Sequence, residues 1–103
     1  MNENLERYRI FYYTALCGNI TAAAEKLYIS QPAVSQSIKQ LELSLGCVLF
    51  TRTSKGVTLT AEGKTLFQYV SKGVEQFLLG EKRLCEQLSL ESAQKSHCAS
   101  THA

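Results

Sequence analysis

Apolar positions mark out the elements of this chain before any composition is counted. Val34, Ile38 and Leu41 recur at i, i+4, i+7 and draw one helical stripe in the segment Ser30–Glu42. Gln36 and Lys39 fall nearly opposite that stripe, and Gln31 and Ser35 lie on its flank. Ser30 is a good N-cap, because its hydroxyl can accept an orphan backbone N–H, and Pro32 falls in the first turn, where its missing donor costs little. Gly46 supplies the stop. Upstream, Leu5, Tyr8, Phe11, Tyr12, Ala15 and Leu16 predict a helix from about Asn4 to Cys17, ended by Gly18. Asn19 or Thr21 then caps a short helix from Thr21 to Leu27. Its small residues Ala22, Ala23 and Ala24 allow another helix to cross at close range. Tyr28-Ile29 leaves a very short connection to the helix capped by Ser30.

Two short helices, a tight turn and a polar outer face on the second helix form a DNA-binding helix-turn-helix pattern. On pattern alone, ordinary three-helix packing is the alternative. Cys47-Val48-Leu49-Phe50 and Val57-Thr58-Leu59 read as two short strands. The polar, cationic turn Thr51–Gly56 lies between them. Such a hairpin directly after a helix-turn-helix reads as a wing whose Arg52 and Lys55 lie against a phosphate backbone or enter the minor groove.

Thr60 caps a long helix predicted from Ala61 to about Leu90. Phe67, Val70, Val74, Phe77, Leu84 and Leu88 follow near-heptad spacing along it, and Glu81 interrupts the seam. Gly73 and Gly80 each cost roughly 1 kcal/mol against alanine in a helix interior, so the helix needs a partner surface. A dimer helix is the expectation, with packing inside one chain as the alternative. The organisation expected is a DNA-binding domain over 1–60, a dimerisation helix over 61–90 and a disordered polar tail over 91–103.

Composition narrows the function classes. Apolar residues make up 45% of the 103 positions, as in a globular protein. No run approaches the roughly 20 apolar residues that span a bilayer. The N-terminus has no apolar signal region, so a cytoplasmic location is expected. The net charge of +2 sits in the first 60 residues, and within 31–60 Lys39, Arg52 and Lys55 face Glu42 alone. The chain has no Asp, and its two histidines, His97 and His102, lie in the tail. No Ser/His or Cys/His set can therefore be built in the folded part, and no enzyme activity is expected. Cys17, Cys47, Cys85 and Cys98 have no paired spacing. They are read as reduced thiols, with no metal site and no cofactor. The five aromatics from Tyr8 to Tyr28 are assigned to the core rather than to base stacking.

The run from Phe11 to Gly63 resembles the N-terminal DNA-binding domain of the LysR-type transcriptional regulators. The resemblance rests on Gly18-Asn19-Ile20-Thr21-Ala22-Ala23-Ala24-Glu25-Lys26-Leu27 and Ser30-Gln31-Pro32-Ala33-Val34-Ser35. It continues through Leu41-Glu42, Leu49-Phe50, Arg52 and Leu59-Thr60-Ala61-Glu62-Gly63. It implies a mainly α winged helix-turn-helix followed by a linker helix that pairs two subunits. By position, it implies that Gln31, Pro32, Ser35, Gln36 and Lys39 approach the major groove. Arg52, Thr53 and Lys55 would then be the wing's backbone contacts. Thr51 and Cys47 stand where the family often carries charge, which implies a weaker electrostatic grip. The family's large inducer-binding domain has no counterpart in these residues, so no small-molecule inducer is expected for this chain. The expected function is a DNA-binding transcription regulator acting as a homodimer on a dyad site. The rival is a protein-interaction module that heterodimerises with a full-length relative through the long helix.

Overall fold

The computed structural model describes residues 2–91. Its elements are α1 (Asn2–Cys17), α2 (Ile20–Leu27), α3 (Gln31–Leu45), β1 (Phe50–Thr53), β2 (Gly56–Leu59) and α4 (Ala61–Glu91). The chain divides into two units, with the division between Val70 and Ser71. The first holds α1 to α3, the hairpin and the start of α4, a mainly helical winged helix-turn-helix.

Local chemistry sets the helix ends. Gly18 takes a left-handed conformation (φ 66°) and donates its N–H to the Thr14 carbonyl at 2.9 Å, which stops α1. Asn19, rather than Thr21, caps α2: its Oδ1 accepts the Ala22 N–H at 3.0 Å. Ser30 caps α3 by accepting the Ala33 N–H at 3.2 Å, and Gly46 (φ 79°) closes it through a 2.8 Å bond to the Glu42 carbonyl. Thr60 caps α4, its Oγ1 accepting from the Gly63 N–H at 3.0 Å.

Two apolar clusters hold these helices together. Ile10, Ala24, Leu27, Val34 and Ile38 join α1, α2 and α3. Ala23 and Ala24 are buried, so the small residues of α2 do mark a close helix crossing. Phe11, Leu41 and Leu49 form the second cluster, with Phe50, Leu59, Leu66, Phe67 and Val70 packed against it. The Phe11 ring lies 5.4 Å from Phe50 and 6.4 Å from Phe67, and Tyr12 stacks on Phe67 at 5.7 Å.

Three expectations are corrected. The buried face of α1 runs through Ile10, Phe11 and Thr14, whereas Leu5 and Leu16 are exposed. Thr14 can be fully buried because its hydroxyl donates to the Ile10 carbonyl at 2.8 Å. The first strand is Phe50–Thr53, so the predicted run Cys47–Phe50 contributes only its last residue. The reason is that the backbone before Phe50 is bonded elsewhere. The Leu49 N–H donates to Glu42 Oε2 at 2.8 Å, the Leu49 carbonyl accepts the Thr60 N–H at 2.9 Å, and the Val48 carbonyl accepts the Thr60 hydroxyl at 2.6 Å. No ladder bonds are left for that run, and the hairpin turn contracts to Ser54-Lys55. Finally, Cys17 and Cys47 are free thiols, but Cys85 is disulfide-bonded, against the expectation of reduced thiols. Cys98, both histidines and the expected disordered tail beyond Glu91 lie outside the described residues.

Tyr28 is a conformational exception, and it also departs from the assignment of all five aromatics to the core. It ends α2 in the left-handed region (φ 61°, ψ 40°), although its side chain is 94% exposed and anchors nothing. Left-handed backbone is disfavoured for a bulky residue and tolerated by asparagine. Tyr28→Asn is expected to raise stability by about 0.5–1 kcal/mol, seen as a higher urea midpoint with an unchanged slope. A lower midpoint would show that the ring stabilises the turn.

Candidate nucleic-acid interface

The spacing of α3 separates two faces. Val34, Ile38 and Leu41 are buried, which turns Gln31, Pro32, Gln36 and Lys39 outward as exposed residues. Ser35 is half-buried and faces the wing.

Register places the wing beside it. β1 and β2 pair antiparallel, with Arg52 opposite Val57 and Thr53 opposite Gly56. Cross-strand partners share a face. Val57 is buried, whereas Arg52 on the same face is exposed. There it lines an open cleft of about 300 Å³ with Ser35, Ile38, Lys39 and Glu42. A second cleft, lined by Asn19, Thr21, Gln31, Ser35 and the wing residues Arg52–Val57, continues the same surface. Gln31, Ser35 and Lys39 of α3 therefore meet the wing's Arg52, Thr53 and Lys55 on one face, whereas Pro32 and Gln36 are exposed but line neither cleft. Among the described residues no carboxylate pairs with Lys39, Arg52 or Lys55. Their charge remains available to an anion.

Thr53 is placed differently from the other two wing residues. Its hydroxyl donates to the Gly56 carbonyl at 3.3 Å and accepts the Lys55 N–H at 3.2 Å. It braces the turn, so its donor is already used. Lys55 stands exposed at the tip.

One important residue had no role in the sequence reading beyond belonging to a motif. Glu42 Oε2 accepts the Leu49 N–H at 2.8 Å and the Phe50 N–H at 3.3 Å, and its main-chain carbonyl accepts the Gly46 and Cys47 N–H groups. Glu42 thus fixes the connection between α3 and the wing. A carboxylate next to a turn glycine was the available signal, but it does not say which amides the carboxylate will find.

The six apolar residues assigned to a dimer seam do not share one environment. Phe67 and Val70 pack on the cluster around Phe11. Val74 is half-buried, and Phe77, Leu84 and Leu88 are exposed. Among the described residues there is no group of three or more metal-ligating side chains. No described helix is long and apolar enough to cross a membrane.

The family model described as "Bacterial regulatory helix-turn-helix protein, lysR family" matches residues 5–64. The chain belongs to the lysR family. Among its curated relatives is the uncharacterized HTH-type transcriptional regulator y4mQ of Sinorhizobium fredii (strain NBRC 101917 / NGR234). It is 41% identical over 102 residues, which is 97% of this chain and 33% of the relative. The RuBisCO operon transcriptional regulator of Allochromatium vinosum is 40% identical over 88 residues, covering 85% of this chain and 29% of the relative. The chain thus spans about a third of the length of these curated relatives. Among solved lysR-like structures, the BenM DBD/catB site 1 DNA complex superposes with a TM-score of 0.67 at 37% identity. That match covers 78% of this chain and 93% of the other. The CbnR DBD–DNA complex gives 0.67 at 32% identity, covering 76% and 90%. The family-model match falls on the same winged helix-turn-helix that carries the clefts.

Proposed function

We infer that this chain is a sequence-specific DNA-binding module of a transcription regulator, which works in the cytoplasm as a dimer on a dyad site. The observation that carries the reading is the shared face of α3 and the wing, where Gln31, Ser35 and Lys39 adjoin Arg52 and Lys55, with Gln36 exposed on the same helix. A helix of this kind fits the major groove with its N-terminal residues toward the bases. The amides of Gln31 and Gln36 suit adenine N6/N7, and Ser35 suits a base edge or a phosphate. Pro32 starts the helix without an N–H to satisfy, and Lys39 neutralises a phosphate. Arg52 and Lys55 give affinity more than sequence choice. Thr53 serves mainly by shaping the turn that carries them. The BenM and CbnR DNA complexes support this reading by their likeness to the domain.

Pairing is assigned to α4 beyond the domain's own core. The seam runs through Val74, Phe77, Leu84 and Leu88, with Phe67 and Val70 at its edge. Exposed Phe77 (68%) and Leu84 (53%) favour a protein partner for this face. That partner is a second copy, and a heterodimer with a full-length relative is the alternative. We further assign residues 1–60 to DNA binding, 61–90 to pairing and 91–103 to a tail outside both.

Selection of bound DNA from a random pool, with the stoichiometry of the complex, tests the reading. A dyad consensus with two chains per site supports it; no enrichment over random sequence would sink it. Arg52→Ala is expected to weaken binding to all sequences and reduce the salt slope by about one per bound chain. Gln36→Ala should relax preference at particular bases by about 1–3 kcal/mol. Equal loss on specific and random DNA would count against base reading by Gln36.

A further inference from the structure

The hairpin is not free to swing on its two strands. The Val57 N–H, at the start of β2, donates to the Gly18 carbonyl at 3.0 Å, so the wing is bonded to the turn between α1 and α2. Gly56, one residue earlier, presses against the same peptide. A Cβ on Gly56 would collide with the Gly18 carbonyl oxygen and would lie 3.3 Å from its carbon and 3.6 Å from Asn19 Cα. All three are backbone atoms inside a capped turn, so they cannot rotate away as a side chain would. Gly56 also has φ +147°, a conformation that only glycine adopts readily.

The contact is one-sided. A Cβ on Gly18 would meet only the Val57 carbonyl oxygen, at 3.9 Å. The close fit is therefore set by Gly56. Its position matters because Arg52 lies on the paired strand and Lys55 is the preceding residue. Asn19 and Thr21, just after Gly18, line the same cleft as Arg52 and Lys55.

We propose that the Gly18–Gly56 backbone contact is a positioning device, which presets the reach of Arg52 and Lys55 from the recognition helix before DNA arrives. It rests on the DNA-binding reading and adds to it. Neither glycine has a side chain with which to hold a phosphate. They act through the two cations, and the number of phosphates that the wing neutralises depends on the contact. A wing held in this way loses little freedom on binding.

The test uses the whole chain and a dyad duplex selected from the random pool. Gly56→Ala is expected to reduce the slope of log affinity against log salt by about one to two per bound chain, about two to four for the dimer, because each lost phosphate contact removes about 0.9. Base preferences should stay unchanged. Gly46→Ala is the control, since Gly46 has a positive φ but nothing within 4 Å of a Cβ. It introduces backbone strain away from the Gly18–Gly56 contact, and its slope should match the parent. In an Arg52→Ala/Lys55→Ala background, Gly56→Ala should cause no further change in slope. An unchanged slope for Gly56→Ala, an equal fall for Gly46→Ala or a further fall in the cation-free background would each overturn the proposal. Failure of the parent chain to bind any duplex would instead sink the DNA-binding reading.

Amide hydrogen exchange on the unaltered protein decides the matter if Gly56→Ala does not fold. The Val57 amide should be strongly protected without DNA, while the Lys55 amide, bonded only to the exposed Thr53 hydroxyl at the tip, exchanges faster. A Val57 amide that exchanges as fast as Lys55, and slows only when DNA is added, would show that the wing docks on binding and was not preset.

Discussion

Phe11→Ala is expected to lower the stability of the helix-turn-helix unit by about 3–5 kcal/mol, the range for deleting a fully buried phenylalanine. The ring is 0% exposed and touches four parts of the fold. It packs with Leu41 from α3 and Leu49 from the loop that follows, and its face meets the rings of Phe50 and Phe67. Few neighbours can move into the cavity, because Leu41 and Leu49 are themselves fully buried and Phe50 is tied into the hairpin. Domains of this size have only about 5–15 kcal/mol in total. The melting temperature should therefore fall by about 15 °C or more, and DNA binding should disappear with the fold. A loss below about 1 kcal/mol would mean that the cluster repacks and that Phe11 does not organise it.

The second large effect is expected at Glu42. Glu42→Ala removes the carboxylate that accepts from Leu49 and Phe50. Hydrogen bonds to a charged acceptor contribute about 1.5–3 kcal/mol, and an orphaned buried donor costs a similar amount. The Leu49 N–H belongs to a residue that is 1% exposed, so water cannot easily replace the lost oxygen. A net loss of about 2–3 kcal/mol is expected, with Glu42→Gln losing about half as much because one amide oxygen remains. Urea unfolding of the three proteins checks the order. Equal midpoints for Glu42→Ala and the parent would show that the loop does not need the carboxylate.

Much of the fold is legible in the chain because its signals are local. The stripe Val34, Ile38, Leu41 is the buried face of α3, and Ser30 and Gly46 are its caps, since both act within one turn of backbone. The outward face of Gln31, Pro32, Gln36 and Lys39 follows from the same period. The wing was harder to place. Cys47–Leu49 has β-forming side chains, but Glu42 and Thr60 take its hydrogen-bonding groups, and one lies before the run and the other after it. Local propensity cannot anticipate a competitor of that kind. α1 was misread for a related reason. Thr14 looks polar until its hydroxyl is matched to a carbonyl one turn back, and Leu16 looks buried until the third dimension turns it away. The meeting of Ser35 with Arg52 depends on hairpin register and on the Gly18–Gly56 contact, neither of which has a periodic signature.

Thr60 and Glu42 have a mechanical consequence. They grip the same short segment from its two ends: Thr60 holds the Val48 and Leu49 carbonyls, and Glu42 holds the Leu49 N–H. Gly63 removes the remaining clearance, because a Cβ there would collide with the Leu49 carbonyl oxygen. The first turn of α4 and the last turn of α3 are thus geared together through Leu49. Displacing the first turn of α4 would therefore strain the Leu49 peptide and, through Glu42, the end of α3.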